Sequence, residues 1–221
     1  MEQISEILFI CITLPMIPML FVLPDKQSKL LVGYMMVGSL ISLIAGAINV
    51  GLLGLFHNDM SYVATTITPI SEELLKAIPV LYYALIFSDE RDKLLSISFA
   101  VGVGFAILEN AVILAQNILS STISIPWALA RVTGAALMHG ACTSMIGLGL
   151  SYVRKRKKLF FCGTFALMIT AVIFHATFNL LVQGQYKVAS LLLPSSLYLP
   201  IIIREFIRRR RTAAYKTYKN K

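Results

Sequence analysis

Residues 94–118, LLSISFAVGVGFAILENAVILAQNI, run for 25 positions with a single charged side chain, Glu109. A helix crossing the roughly 30 Å hydrocarbon layer needs about 20 apolar residues. Holding a carboxylate within such a span costs at least roughly 2.5–3.5 kcal/mol on the most lenient scale. The stretch therefore predicts a membrane helix whose one acid is kept for function. At about 100° per residue, Ser98, Gly102, Phe105, Ala106 and Glu109 share one narrow sector. Small residues on such a face let helices approach closely, so Glu109 is predicted to face protein rather than lipid.

The rest of the chain has the same character. It holds 221 residues, 57% of them hydrophobic and 14% charged, with mean hydropathy +0.76, which excludes an ordinary soluble domain. Seven apolar runs stand near 7–23, 30–55, 68–87, 94–118, 126–152, 159–182 and 188–207. The expectation is an all-α, polytopic helix bundle forming one integral-membrane unit over 1–221. Its core is expected at about 68–182 and a basic tail at 204–221. The first run, flanked by Glu2 and Glu6 and interrupted by Pro15 and Pro18, reads as a retained span rather than a cleaved leader. Cys11, Cys142 and Cys162 have no metal-type spacing and read as small buried hydrophobes.

The net charge of +9 would suit a nucleic-acid partner only if it formed a patch. Instead Lys26 and Lys29, Arg91 and Lys93, Arg154 to Lys158 and the tail from Arg204 all fall on alternate connections. By the positive-inside rule the amino terminus is predicted outside and the carboxyl terminus in the cytoplasm, with no nucleic acid bound. Membrane lipids are the expected surroundings, and the Arg208 to Arg211 run serves as a stop-transfer anchor or an attractor of anionic headgroups.

Three more runs carry ionisable groups: Glu72, Glu73 and Lys76; then His139; then His175. Counted from the basic end of each span, Glu73, Glu109, His139 and His175 lie 13 to 16 residues deep, roughly 20–24 Å at the helical rise. All four therefore share one level in the outer half of the membrane. Ala128, Ala135, His139, Cys142 and Thr143 make one stripe, and Thr164, Met168, Ala171, His175 and Asn179 another. A structural explanation exists for the acidic pair: Thr68 as cap, Pro69 at the first position, and acids at the positive end of the macrodipole. The shared depth favours a site instead. Lys76, three residues from Glu73 and four from Glu72, lies between them on the helix surface. Arg131 either reaches the site or extends outward, and His57, beside Asn58 and Asp59, reads as a loop residue.

Hydrolysis of a peptide bond needs a base, a means to polarise water or carbonyl, and a donor for the oxyanion. Two arrangements of these residues supply them. In one, Glu109, His139 and His175 bind a metal ion, zinc by its ligand preference, and Glu73 or Glu72 is the base. In the other no metal is used: the glutamate pair activates water, His175 orients it and Asn179 supports the oxyanion. Two other classes compete. An ion-coupled transporter would use the Glu and His residues as a proton relay, although no inverted repeat is evident. A membrane cytochrome would use His139 and His175 as axial haem ligands.

Glu72-Glu73-x-x-Lys76, Gly104-Phe105-x-x-x-Glu109-Asn110, His139, and His175-x-x-x-Asn179, in that order over about 68–180, resemble the PrsW family of intramembrane proteases. The arrangement is also similar to the wider superfamily containing the CAAX prenyl proteases, which typically have histidine where this chain has Glu109 and arginine at or near Lys76. The resemblance implies a multi-pass enzyme of a bacterial or archaeal plasma membrane. It also implies a single-pass membrane substrate, such as an anti-sigma factor, cut first near its extracytoplasmic side. It places the functional acids on Glu72, Glu73 and Glu109 and the histidines on His139 and His175.

Overall fold

A computed structural model describes residues 2–120, 124–153, 157–184, 188–199 and 203. The described residues are helical, with no strand among them. In chain order the helices are α1 (Glu2–Thr13), α2 (Ile17–Val22), α3 (Lys26–Leu55), α4 (Met60–Tyr62), α5 (Thr68–Ile86), α6 (Arg91–Ser120), α7 (Ile125–Leu150), α8 (Lys157–Gln183) and α9 (Val188–Leu199). The basic run at Arg208 to Arg211 and the end of the last apolar run lie outside the described residues.

Among the described residues, four helical stretches are long and apolar enough to cross a membrane: Gln3–Val22, Lys26–Leu55, Arg91–Ile118 and Phe160–Gln183. The expected seven spans also included α5, α7 and the run at 188–207, of which the shorter apolar helix α9 is described. Helices α5 and α7 hold Glu72, Glu73 and Lys76, and Arg131 and His139, so their hydropathy is diluted by the residues of interest. Exposed apolar side chains such as Val50, Leu55, Leu129, Phe165 and Ile173 project from the outside of the bundle. A surface of this kind suits lipid, not water.

Bare glycine backbones set the helix crossings. A Cβ on Gly38 would run into the Val101 carbonyl, and one on Gly104 into that of Met35, so α3 and α6 touch backbone to backbone. Ser39 Oγ donates to the Gly104 carbonyl across this contact at 2.8 Å. Gly102 meets the His139 carbonyl in the same way, which fixes the α6–α7 crossing at the level of the histidine. The small-residue stripe on α6 is buried as its spacing predicted, ending at the half-buried Glu109.

The shorter α5 touches α3, α6, α7 and α8. Its entry corrects one expectation. Thr68 does not cap a new helix: Ile67 before it is helical and no side-chain cap forms. The chain passes from α4 through a π-helical turn, Val63–Ile67, directly into α5. Without a free helix end beneath the acidic pair, the macrodipole cannot explain Glu72 and Glu73. A second correction concerns the cysteines: Cys142 is buried, but Cys11 and Cys162 are exposed on the apolar outer surface.

Candidate active site

Where α5, α6, α7 and α8 meet, the ionisable groups form one connected chain. Lys76 Nζ donates to Glu73 Oε1 at 2.6 Å and to His139 Nδ1 at 2.8 Å. An ammonium has no acceptor, so Nδ1 of His139 carries the lone pair. Its Nε2–H then donates to Glu109 Oε2 at 2.8 Å. His175 Nδ1 lies 2.8 Å from Glu73 Oε1 and can only donate there, which leaves Nε2 of His175 as a bare acceptor. These tautomers follow from the partners.

That bare nitrogen faces Glu72 Oε2 at 3.7 Å, too far for a hydrogen bond. Both atoms are buried and without a hydrogen-bond partner among the described residues. Two acceptors turned toward each other without a donor between them suit a cation. Glu72, His139 and His175 each offer a ligand atom within 4.8 Å of the others. One carboxylate and two imidazoles make a donor set that zinc accepts, so these residues fit a metal ion. The carboxylate differs from the sequence expectation, in which Glu109 completed the set. His139 has both ring nitrogens paired and joins a metal only by releasing Lys76 or Glu109.

Packing holds the network in place. Lys76, Glu73 and His175 are each 0% exposed. The Phe105 ring lies 4.9 Å from the His139 ring and 4.6 Å from Lys76 Nζ, centroid distances in both cases. A buried ammonium over an aromatic face gains a cation–π contact. The His139 and His175 rings meet edge to face at 4.8 Å. Rings in direct contact leave no room for a porphyrin between them, which removes the haem arrangement.

Arg131 does reach the site, with its guanidinium 3.6 Å from Glu109 Oε1. Asn179 sits differently from its expected role: its amide donates to the Ala64 carbonyl at 3.0 Å, so it anchors the π turn to α8. One of its two donors is thereby committed. Glu73 is enclosed, whereas Glu72 and Glu109 both line a cleft of about 610 Å³ between α1, α3, α5 and α6. Two site residues escaped the sequence reading. Asn49 Nδ2 donates to Glu72 Oε1 at 3.2 Å, and Ser71 Oγ bonds Asn49 Oδ1 at 2.8 Å. The signal was there, since Asn49 is a carboxamide inside the apolar run 30–55, but a search for ionisable groups passes over it.

A model of the PrsW family intramembrane metalloproteases matches residues 26–204. The chain belongs to the PrsW family. No curated protein and no solved structure matches it. As a PrsW member it is a membrane-embedded peptidase, of a family described as metalloproteases, and the transporter reading gives way. The PrsW match takes in every residue of the buried network and begins after α1 and α2, of which α1 contributes Ser5 and Glu6 to the cleft wall.

Asn49 supplies the first prediction. Groups that orient a metal ligand from behind typically matter by about 10–100-fold in affinity or activity. Asn49→Ala should weaken cobalt binding by about that factor, read from the ligand-field absorption of detergent-purified protein during titration. Affinity within twofold of wild type would show that Glu72 needs no such support.

Proposed function

We propose that this PrsW protein cuts a single-pass membrane protein near its extracytoplasmic side, with water delivered against the scissile carbonyl in the cleft floored by Glu72 and Glu109. The observation that supports this most is the facing pair of buried, unpartnered acceptors, Glu72 Oε2 and His175 Nε2, at the end of the hydrogen-bonded network that runs through Glu73, Lys76 and His139. Glu72, His139 and His175 would hold the metal, which when bound supplies Lewis acidity toward water or the carbonyl.

Each remaining group has a separate task. Glu73 and Lys76 are positioning residues: Glu73 accepts from Nδ1 of His175 and so aims its Nε2 into the site, while Lys76 neutralises Glu73 and steadies the His139 ring. Glu109 stands on the cleft wall with its side chain 20% exposed, accessible to water in a way that Glu73 is not. Glu109 accepts the proton of the attacking water and returns it to the departing amine, a general-base and general-acid duty for which a carboxylate within hydrogen-bond reach suffices. Arg131 holds its Oε1 side. Asn179 steadies the π turn beneath the acids and leaves oxyanion support to other donors.

The side of the membrane follows from which chain ends line the cleft. Asn49, Thr68 and Gln116 belong to the ends of α3, α5 and α6 remote from Lys26, Lys29, Arg91 and Lys93. The positive-inside rule puts the lysine end in the cytoplasm, so the cleft belongs to the outer half. This orientation agrees with an amino terminus outside, and the proposal extends to a seven-span topology, a bacterial or archaeal plasma membrane as location and an anti-sigma factor as the substrate class. At about 610 Å³ the cleft is of ordinary ligand size and suits a short unwound segment of a substrate.

The deciding experiment follows cleavage of a tagged single-pass anti-sigma-type protein co-expressed in membranes, with wild type, Glu109→Gln, and wild type treated with 1,10-phenanthroline. Cleavage by wild type, lost by about 10²–10⁴-fold in Glu109→Gln and lost with chelator, is expected. Retention of the wild-type rate in Glu109→Gln would remove the base assigned here, and indifference to the chelator would remove the metal.

A further inference from the structure

At the opposite end of the bundle two hollows join. One, of about 340 Å³, is lined by Lys26, Gln27, Ser88, Lys93 and Ser96 among others. The other, of about 650 Å³, runs along the outside of α3 and α5 past Lys29, Gly33, Tyr34, Ile41 and Pro79. Lys26, Leu30 and Phe87 belong to both. A chamber of mixed lining that carries two lysines thus opens into an apolar groove, with Phe87 stacked on Tyr83 at 5.5 Å as the ridge between them.

We propose that this compound hollow is a binding site for one anionic phospholipid, its phosphate against Lys26 and Lys93 and one acyl chain in the α3–α5 groove. Two independent features point to this occupant. The first is charge: Lys26 and Lys93 line the chamber and Lys29 the adjoining groove, and basic side chains at a membrane surface attract acidic headgroups. Lys93 is already paired with Glu90 at 2.6 Å, but both side chains are more than half exposed, and such surface pairs are worth only about 0–1 kcal/mol, so the ammonium is easily shared. The second is length. From Leu30 to Ile41 the groove follows 11 residues of α3, about 16 Å at the helical rise, against about 15 Å for half of the hydrocarbon layer. Gly33 borders open space in the groove, since a Cβ there would meet nothing within 4 Å. The buried Pro79 forms part of the facing wall on α5, the helix that carries the acidic pair.

The site does not depend on the proteolytic reading, and its test needs no substrate. Full-length protein in detergent is mixed with phosphatidylglycerol or phosphatidylcholine, and retained lipid is counted by native mass spectrometry for wild type, Lys26→Gln/Lys93→Gln and Gly33→Trp. Wild type should hold one phosphatidylglycerol in preference to phosphatidylcholine. The lysine variant should lose about thirtyfold in affinity, the equivalent of roughly 2 kcal/mol for two lysines at the membrane surface. Gly33→Trp, which fills open space rather than the core, should lose retention of the intact lipid while eluting as wild type does. Equal retention of both lipids, or unchanged retention in either variant, would overturn the proposal. So would competition by soluble glycerol phosphate as effective as that of the intact lipid, because the chamber alone would then do the binding.

Discussion

Glu72→Gln is expected to leave the bundle folded while abolishing metal retention and slowing cleavage by at least about 10²–10⁴-fold. The amide keeps the shape of the carboxylate, and its oxygen can still accept from Asn49 Nδ2, the contact that now measures 3.2 Å. What changes is the other oxygen. Oε2, now facing His175 Nε2 at 3.7 Å, becomes an NH₂ that donates to that nitrogen, and the facing lone pairs that suit a cation are gone. Metal content of the purified variant, measured beside its cleavage rate in membranes, separates this from a folding defect. A Glu72→Gln protein that keeps wild-type metal stoichiometry and cleaves at the wild-type rate would show that Glu72 is a spectator.

Lys76→Met should be among the most destabilising single changes available to this chain, by about 3–5 kcal/mol. The side chain is 0% exposed and neutralises Glu73, also 0% exposed, at 2.6 Å. Removing one partner of a buried ion pair leaves the other charge in low dielectric without compensation, and this accounts for most of the cost. It follows that Glu73→Gln/Lys76→Met should recover most of the loss, because the charge and its partner then vanish together. Thermal unfolding in detergent micelles measures both. If the single and double variants melt alike, the ion pair is not what stabilises this junction, and the packing of the Lys76 stem against Phe105 would be the better explanation.

Hydropathy and charge placement made much of this architecture readable before any coordinates. The α6 stripe Ser98, Gly102, Phe105, Ala106 and Glu109 is buried up to the carboxylate because a helix has one period and lipid tolerates one kind of face. The shared depth of Glu73, Glu109, His139 and His175 anticipated that they would meet, and hydrogen bonds of 2.6–2.8 Å now join them through Lys76. Which carboxylate faces which imidazole was not readable, because Glu72 and Glu73 differ by about 100° on the helix. That rotation depends on how α5 enters the bundle. The π turn that sets it has no signature in residue type, and neither does the use of Asn179 to hold it. Asn49 was hidden for a different reason: a carboxamide carries no charge, and only its distance from Glu72 discloses its purpose.

The π turn at Val63–Ile67 also bears on how such a helix can change over evolutionary time. A π turn holds one residue more than the α turn it replaces, so substitutions alone do not interconvert the two; gaining or losing a residue does. Deleting one position within Val63–Ile67 would restore an α-helix and swing α4 by about 100° relative to α5, taking the Ala64 carbonyl away from Asn179. In this stretch the length of the chain is what matters, and the composition is comparatively free to drift.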